Sequence, residues 1–214
     1  MTEPAYLTEI RTSYDTVAVS YAELVRTALG ESPFVRAMLA AFAELVPDGG
    51  LVADVGCGPG HVTARLRSLG LDASGVDLSP GMIDVARRDH PGLRFEVGTM
   101  TALARADGEL AGVVACHSVI HLPPDVLPVV FAEFHRVLEP GGHVLVSFHV
   151  GDARRRKTKG YGGHDMALDV FWLRPGRIAA LAAEAGFVVH ADLISELDSE
   201  RGVPQACLIL RKPG

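Results

Sequence analysis

Cysteine is scarce in this chain, and its scarcity excludes two ways of building a small protein. Only Cys57, Cys116 and Cys207 occur in 214 residues. They are odd in number and lack C-x-x-C spacing, so neither a disulfide framework nor a zinc site is expected, and reduced thiols in a cytoplasmic protein fit best. Tryptophan occurs once, and aromatic residues make up 6% of the chain. Positive charge is in deficit: 20 Lys and Arg against 26 Asp and Glu give a formal net charge of −6. A general nucleic-acid binder carries the opposite balance. Long apolar runs are missing too. No stretch is long enough to span a membrane, and the opening MTEPAYLTEI has acids but no apolar core of a secretory signal. What is abundant is hydrophobic character, at 48% of residues, which excludes disorder and suits one α/β domain with a small appendage.

The most informative stretch runs from Leu51 to Gly60. Leu51 to Val55 is an apolar run broken only by Asp54, as in a buried parallel strand. It ends in Gly56, Gly58 and Gly60, and a helical pattern begins at once with His61, Val62, Ala64, Arg65, Leu66 and Leu69. Glycines serve where a strand turns sharply into a helix and a ligand approaches the backbone. A second acid, Asp77, closes the next apolar run, where a carboxylate can accept hydrogen bonds from ribose hydroxyls. An ordinary tight turn is the plain alternative for the glycines alone. A dinucleotide fingerprint needs its third glycine where this chain has His61, and a bulky side chain there hinders close helix–strand packing.

This compact loop, with Asp54 before it and Asp77 after the second strand, resembles motif I of class I S-adenosylmethionine-dependent methyltransferases of the small-molecule type. The resemblance covers roughly residues 50–211 and is strongest over 51–149. It implies a Rossmann-like α/β fold: a seven-stranded, mostly parallel sheet with helices on both faces, the last strand antiparallel, and an N-terminal helical lid over residues 1–49. It implies S-adenosyl-L-methionine as cofactor, with Asp54, Gly56, Cys57, Gly58, Gly60, Asp77, Leu78, Met82, Gly98, Thr99 and Met100 around it. In that family an acid after the third strand commonly meets the adenine amine. Here Thr99 and Met100 occupy that region.

Alternating patterns place strands near 51–55, 72–77, 93–97, 110–116, 142–149, 187–194 and 205–211. Helices are expected near 60–69, 79–89, 124–138 and 174–185, with short helical pieces around 101–105. Ser79 and Pro80 start one helix, as capping serine and first-turn proline. Gly186 stops another. Before the core, Tyr14, Val17, Ala18, Tyr21 and Val25 recur on one helical face. Packing alone accounts for such a face. The segment also resembles one that folds over the cofactor in many small-molecule methyltransferases, which makes Tyr14 and Tyr21 candidate cofactor contacts. An aromatic face attracts a sulfonium cation, and a phenol can anchor a carboxylate.

The run from Ala115 to Pro124 ends the fourth strand, where the resemblance places the border between cofactor and acceptor. His117 and His121 stand there as candidate acid–base residues, because imidazole titrates near neutral pH. His117 is also a candidate cofactor contact and His121 a substrate contact; either histidine could simply pack. Their spacing evokes an HExxH metal site, but Ser118 replaces the glutamate and no third ligand is evident, so no metal is expected. The loop lacks the Asn/Asp-Pro-Pro-aromatic motif of base-amine methylation and the paired glutamates of arginine methylation. A small-molecule acceptor follows, with neither nucleic acid nor membrane as partner.

Residues 150–173 read as a long loop, a flap over substrate. It carries Arg154, Arg155, Arg156, Lys157 and Lys159, which are either a solvated charge run or an attraction for an anionic acceptor. His149, Tyr161, His164 and Trp172 are the further substrate candidates, with Phe171 walling the pocket. The expected activity is methyl transfer to an oxygen or nitrogen of a small molecule. An NAD(P)-dependent oxidoreductase and a noncatalytic cofactor-binding regulatory protein are the alternatives.

Overall fold

A computed structural model describes residues 4–195 and 203–214. Helices α1 (Ala5–Val25), α2 (Ala28–Glu31) and α3 (Pro33–Leu45) precede the first strand. Then follow β1 (Leu51–Val55), α4 (His61–Ser68), β2 (Asp72–Asp77), α5 (Pro80–Asp89), β3 (Arg94–Val97) and β4 (Leu110–Cys116). A single 3-10 turn, Val119–His121, leads into α6 (Leu127–Val137) and β5 (Leu138–His149). The chain continues with β6 (Ala153–Gly160), β7 (His164–Trp172), α7 (Pro175–Glu184), β8 (Val188–Ser195) and β9 (Gln205–Arg211).

Seven strands form one sheet in the order β3-β2-β1-β4-β5-β9-β8. Strands β1 to β5 pair in parallel, whereas β9 runs antiparallel to both of its neighbours. This is the Rossmann-like sheet that the resemblance implied. Its central strands are mostly apolar because helices cover both faces, and every β4 residue except the last is buried. On one face Phe42 and Leu39 of α3 and Leu66 of α4 pack against Val52, Val114 and Leu145. Ile83 and Ala86 of α5 cover Phe95 of β3, at one end of the sheet. On the other face Phe131 and Phe134 of α6 and Ile178 and Leu181 of α7 meet Val113, Val144 and Val146.

Two expectations need correction. Residues 101–105 hold no helix: Thr99 and Ala102 bridge across a turn, and the 3-10 turn lies further on at Val119–His121. The stretch 150–173 is not a loop, because β6 and β7 form an antiparallel hairpin of their own. Its second strand carries the period-2 signal, with Met166, Leu168 and Val170 buried. The first strand gives no such signal, because its basic side chains are mostly exposed. Pairing with β7, rather than an apolar face, makes it a strand.

α1 lies beyond the strand ends and touches both α5 and the hairpin. Asp15 accepts hydrogen bonds from the Ser79 hydroxyl at 2.5 Å and the Gly81 N–H at 2.9 Å. On its other flank the Ser13 hydroxyl accepts from the Ala167 N–H at 3.1 Å, and the Ser20 hydroxyl donates to the Tyr161 carbonyl at 2.6 Å. α3, although it falls within the stretch expected to form a cap, packs into the core beneath the sheet. Among the described residues, no helix is long and apolar enough to cross a membrane.

The Asp15 clasp predicts how α1 responds when it is cut. Losing hydrogen bonds to a charged acceptor, about 1.5–3 kcal/mol each, should speed backbone amide exchange across α1 in Asp15→Ala by roughly tenfold or more. Exchange in β1, β4 and β5 should stay slow. Unchanged protection of α1 in exchange mass spectrometry would show that the hairpin contacts alone hold it.

Candidate functional site

The strand order reverses between β1 and β4, because β2 and β3 lie to one side of β1 and β4 and β5 to the other. Open α/β sheets bind ligands outside the carboxyl ends of the strands at such a point. The two loops leaving β1 and β4 touch here. The Ser118 hydroxyl donates to the Val55 carbonyl at 2.8 Å. A Cβ on Gly56 would stand 2.3 Å from that of Ser118, and Gly56 has φ of 74°. Only glycine serves at this position, on both counts.

The loop is tied to β2. Gly56 and Cys57 both donate N–H bonds to the Val76 carbonyl. The buried Asp77 carboxylate accepts from the Gly58 N–H at 2.8 Å through one oxygen and from the Ser79 N–H at 2.9 Å through the other. Burial pushes the Asp77 carboxyl up to about 6, against the lowering effect of these backbone donors and with a smaller upward push from Asp15. Asp54 faces the opposite way, into the core, where it accepts from the Thr63 hydroxyl of α4 at 2.6 Å. Burial raises its carboxyl to about 7, and the Thr63 bond only partly offsets this.

Aromatic side chains of α1 stand over the loop. Tyr21 lies 3.7 Å from where a Cβ on Gly58 would be, and its ring meets Tyr14 edge-on at 5.7 Å and Tyr161 at 4.7 Å. The Tyr14 hydroxyl bonds to His121 Nε2 at 2.7 Å, while His121 Nδ1 contacts the Asp169 carbonyl at 3.1 Å. A carbonyl can only accept, so the proton sits on Nδ1 and Tyr14 donates to Nε2. Burial lowers the His121 pKa to about 4, so the ring is neutral near pH 7. Burial likewise raises the Tyr14 phenol well above its ordinary value, with Tyr161 and Tyr21 adding to it.

The remaining candidates divide into those at the strand ends and those elsewhere. Met100 reaches the loop, its methyl 3.6 Å from a Cβ placed on Gly56. Gly98 donates its N–H to the Asp77 carbonyl at 2.8 Å, and the Thr99 hydroxyl bonds to that of Thr101. Leu78 is half-buried beside Asp77. Gly60, with φ of 84°, caps α4, and a Cβ there would strike Phe95 at 2.7 Å. Cys57 turns its side chain to Ile83, Ala86 and Phe95, away from the tyrosines, and burial raises its thiol pKa. Met82 packs under α1 with Ala18 and Ala22. His117 holds φ of 49°, donates its N–H to the Ser147 carbonyl and hydroxyl at 3.1 Å, and lays its ring 5.0 Å from that of His149. His117 and His121 thus have different partners. Trp172 lies beneath Arg155, and His164 is exposed at the hairpin tip.

Ser118, Asp15 and Lys157 did not stand out in the sequence. Ser118 and Asp15 act through contacts, one between the β1 and β4 ends and one between α1 and the start of α5, across a sequence separation that no local pattern reports. Lys157 is one of five cations within six residues, and only the strand pairing singles it out.

The strand order, the glycine turn and the acid after β2 together define the class I methyltransferase fold. Residues 52–142 match the methyltransferase domain family. It is 32% identical over 164 residues to a ubiquinone biosynthesis O-methyltransferase of Alkalilimnicola ehrlichii, covering 67% of this chain and 63% of that one. It is 33% identical over 138 residues to a demethylmenaquinone methyltransferase of Chlorobaculum parvum, covering 62% and 56%. The chain thus spans less than two thirds of the length of these curated relatives. In fold it is similar to the 1,6-didemethyltoxoflavin-N1-methyltransferase of Burkholderia thailandensis, solved with 1,6-didemethyltoxoflavin and S-adenosylhomocysteine bound. The TM-score is 0.71 at 21% identity, covering 100% of this chain and 93% of that one.

The raised Asp54 carboxyl sets a pH dependence of stability. Between its ordinary 3.8 and about 7 the folded state holds a proton that the unfolded state releases, so this group's contribution falls as pH rises. Asp54→Asn removes that slope and can still accept from Thr63. Relative to the parent, the variant should gain stability from pH 4 to 8 by on the order of 3–4 kcal/mol, measured by urea unfolding at each pH. A difference that stays flat with pH would place an ionised, well-solvated carboxylate at position 54.

Proposed function

We propose that this chain transfers a methyl group from S-adenosyl-L-methionine to an oxygen or nitrogen of a small molecule. The observation that carries this reading is the Asp77 carboxylate, clasped to the Gly58 N–H at the reversal point of the sheet and roofed by Tyr14, Tyr21 and Tyr161. These residues fit the cofactor. Gly58, with φ of 53°, leaves its Cβ side open up to the ring of Tyr21 at 3.7 Å. Each Asp77 oxygen accepts one backbone bond and has a lone pair remaining for a ribose hydroxyl. Phenol rings over the loop suit a sulfonium cation. Bound there, S-adenosylmethionine supplies an electrophilic methyl group.

The protein's part is alignment and exclusion of water. Gly56, Gly58, Asp77 and Met100 form the floor, α1 with Tyr14 and Tyr21 forms a lid, and the hairpin carrying Tyr161 and Trp172 forms the acceptor wall. Residues 50–214 with α3 beneath the sheet then act as the methyltransferase domain and α1 as its cap. His121 acts first as a positioning residue, since it holds the lid tyrosine through Nε2 and the hairpin backbone through Nδ1. It becomes a proton acceptor only when Tyr14 gives up its bond. Its low pKa keeps it unprotonated near pH 7 but makes it a weak base.

The acceptor is a small molecule rather than nucleic acid. Most basic residues of the hairpin are matched by Asp169, Glu9 or Asp165 on an acidic protein. A cytoplasmic location goes with this reading, supported by three unpaired cysteines. An oxidoreductase is not favoured, because His61 opens α4 directly after Gly60, where close approach of a pyrophosphate needs a small residue.

Two experiments test the proposal. Asp77→Ala should weaken S-adenosylhomocysteine binding on the order of 10- to 150-fold by calorimetry. Parent affinity should fall as pH drops through about 6, when the carboxylate takes up its proton. Equal affinity in both proteins at pH 7.5 would remove Asp77 from the site. The second experiment separates positioning from proton transfer. If His121 positions the lid, Tyr14→Phe and His121→Gln should release bound S-adenosylhomocysteine faster by similar factors, and the double variant by no more than the larger single effect. A release rate unchanged in His121→Gln would refute the positioning role.

A further inference from the structure

The seven-stranded sheet has two edges, β3 and β8, and they are finished differently. β8 carries a bulge, since its register with β9 shifts between Val189 and Ala191. A bulge twists an edge away from further pairing. β3 instead pairs with β2 in unbroken register over Arg94–Val97. Alternation decides which of its backbone groups face outward. Gly98 sends its N–H inward to the Asp77 carbonyl, so Arg94 and Glu96 bond toward β2 while Phe95 and Val97 point to the open side. Arg87 of α5 reaches the Phe95 carbonyl there at 2.8 Å, and a second lone pair of that oxygen remains.

The residues along this edge read alike in both directions. Leu93, Phe95 and Val97 are apolar and alternate with Arg94 and Glu96, which carry opposite charges. Leu93 and Phe95 pack with Ile83 and Ala86 of α5, whereas Val97 is 51% exposed. The other face of the strand is open, because residues 98–109 link β3 to β4 by turns instead of a helix. A cavity of about 280 Å³ lies along that face, lined by Arg94 and Glu96 together with Asp72, Ser74 and Arg105. Arg94 reaches Asp72 at 2.9 Å and Glu96 reaches Arg105 at 2.6 Å, yet their side chains stay 67% and 41% exposed.

We propose that β3 is the contact through which two copies of this chain pair, antiparallel about a two-fold axis, to continue the sheet from one copy into the other. Such an axis places one residue opposite its own copy. Centred on Phe95, it sets Arg94 against Glu96 of the second copy, Glu96 against that copy's Arg94, and Val97 against its Leu93. The neighbouring registers fail, since one opposes Arg94 to Arg94 and the other Glu96 to Glu96. Phe95 also meets the backbone requirement: an outward-pointing residue can exchange both of its bonds with its own copy. Ion pairs then run across the axis in alternating sign, from Asp72 and Arg94 to Glu96 and Arg105 of the second copy. Charges of one sign keep a sheet edge single. This edge is matched to itself.

Sedimentation velocity on the full chain, over a concentration series into the hundreds of micromolar, should show a reversible dimer. Arg94→Glu and Glu96→Arg each bring like charges together twice, and each should weaken association on the order of tenfold or more. The two single variants mixed in equal amounts should form a heterodimer, because every charged pair across the axis is then opposite. A variant that merely misfolds cannot give that result. Val97→Pro removes only an outward N–H and should also abolish the dimer, whereas Ile194→Glu on β8 should leave it intact. A parent that stays monomeric throughout overturns the proposal, as does a dimer that survives both charge reversals or Val97→Pro. Single variants that dissociate but fail to combine on mixing refute the register centred on Phe95. Loss of the dimer in Ile194→Glu alone would move the contact to the opposite edge and refute β3.

Discussion

A carboxylate buried among backbone N–H groups organises this molecule. Asp77 takes one bond from Gly58 and one from Ser79, and so fixes the glycine turn after β1 relative to the first turn of α5. Ser79 in turn caps α5 by accepting from the Met82 N–H and donates its hydroxyl to Asp15 of α1. The lid helix is therefore referenced to the same point as the loop it covers. From α1 the order passes to Tyr14, from Tyr14 to His121, and from His121 to the backbone of β7. Each link is a hydrogen bond with a defined donor, so the geometry over the strand ends is set by a few directional contacts, not by apolar packing alone.

Burial of charge is the cost of this arrangement, and it is also what tunes the site. Asp54 and Asp77 both have raised pKa values, because neither faces a cation that would stabilise the ionised form. His121 is displaced in the opposite sense, toward the neutral ring. The carboxylates and the imidazole are drawn together from their ordinary values toward the middle of the range, by desolvation in each case. Such shifts cluster where proteins bind and react. Here Asp77 and His121 lie at the site, whereas Asp54 braces α4 against β1 from the core side.

The hairpin shows a different use of charge. Its basic run is one strand of a two-stranded ribbon that α1 flanks. Alternation sends one set of cations to acidic partners and another, Arg155 and Lys157, to the rings of Trp172 and Tyr161. Ion pairs such as Lys159 with Asp165 are exposed and contribute little to stability. Their effect is to remove those charges from the balance, which leaves Lys157 as the half-buried cation of the strand.

The amino-acid sequence by itself determined the core of the sheet, because β1 and β4 are apolar runs and β1, β2 and β3 end at Gly56, Asp77 and Gly98. It also determined the glycine turn and Asp77, since a turn needing positive φ and a carboxylate closing the next strand are both written in neighbouring residues. Only the tertiary structure decided the state of the hairpin, whose first strand has no apolar period and exists through its pairing with β7. The same holds for His121, whose tautomer, charge and partners come from α1 and β7, over a hundred residues away on one side and nearly fifty on the other. Tertiary structure likewise brought Asp15 to Ser79 and Ser118 to Gly56. Local patterns record what the chain does within a turn or a strand. Long-range pairing of polar groups depends on which surfaces the fold brings together, and no spacing along the chain encodes it.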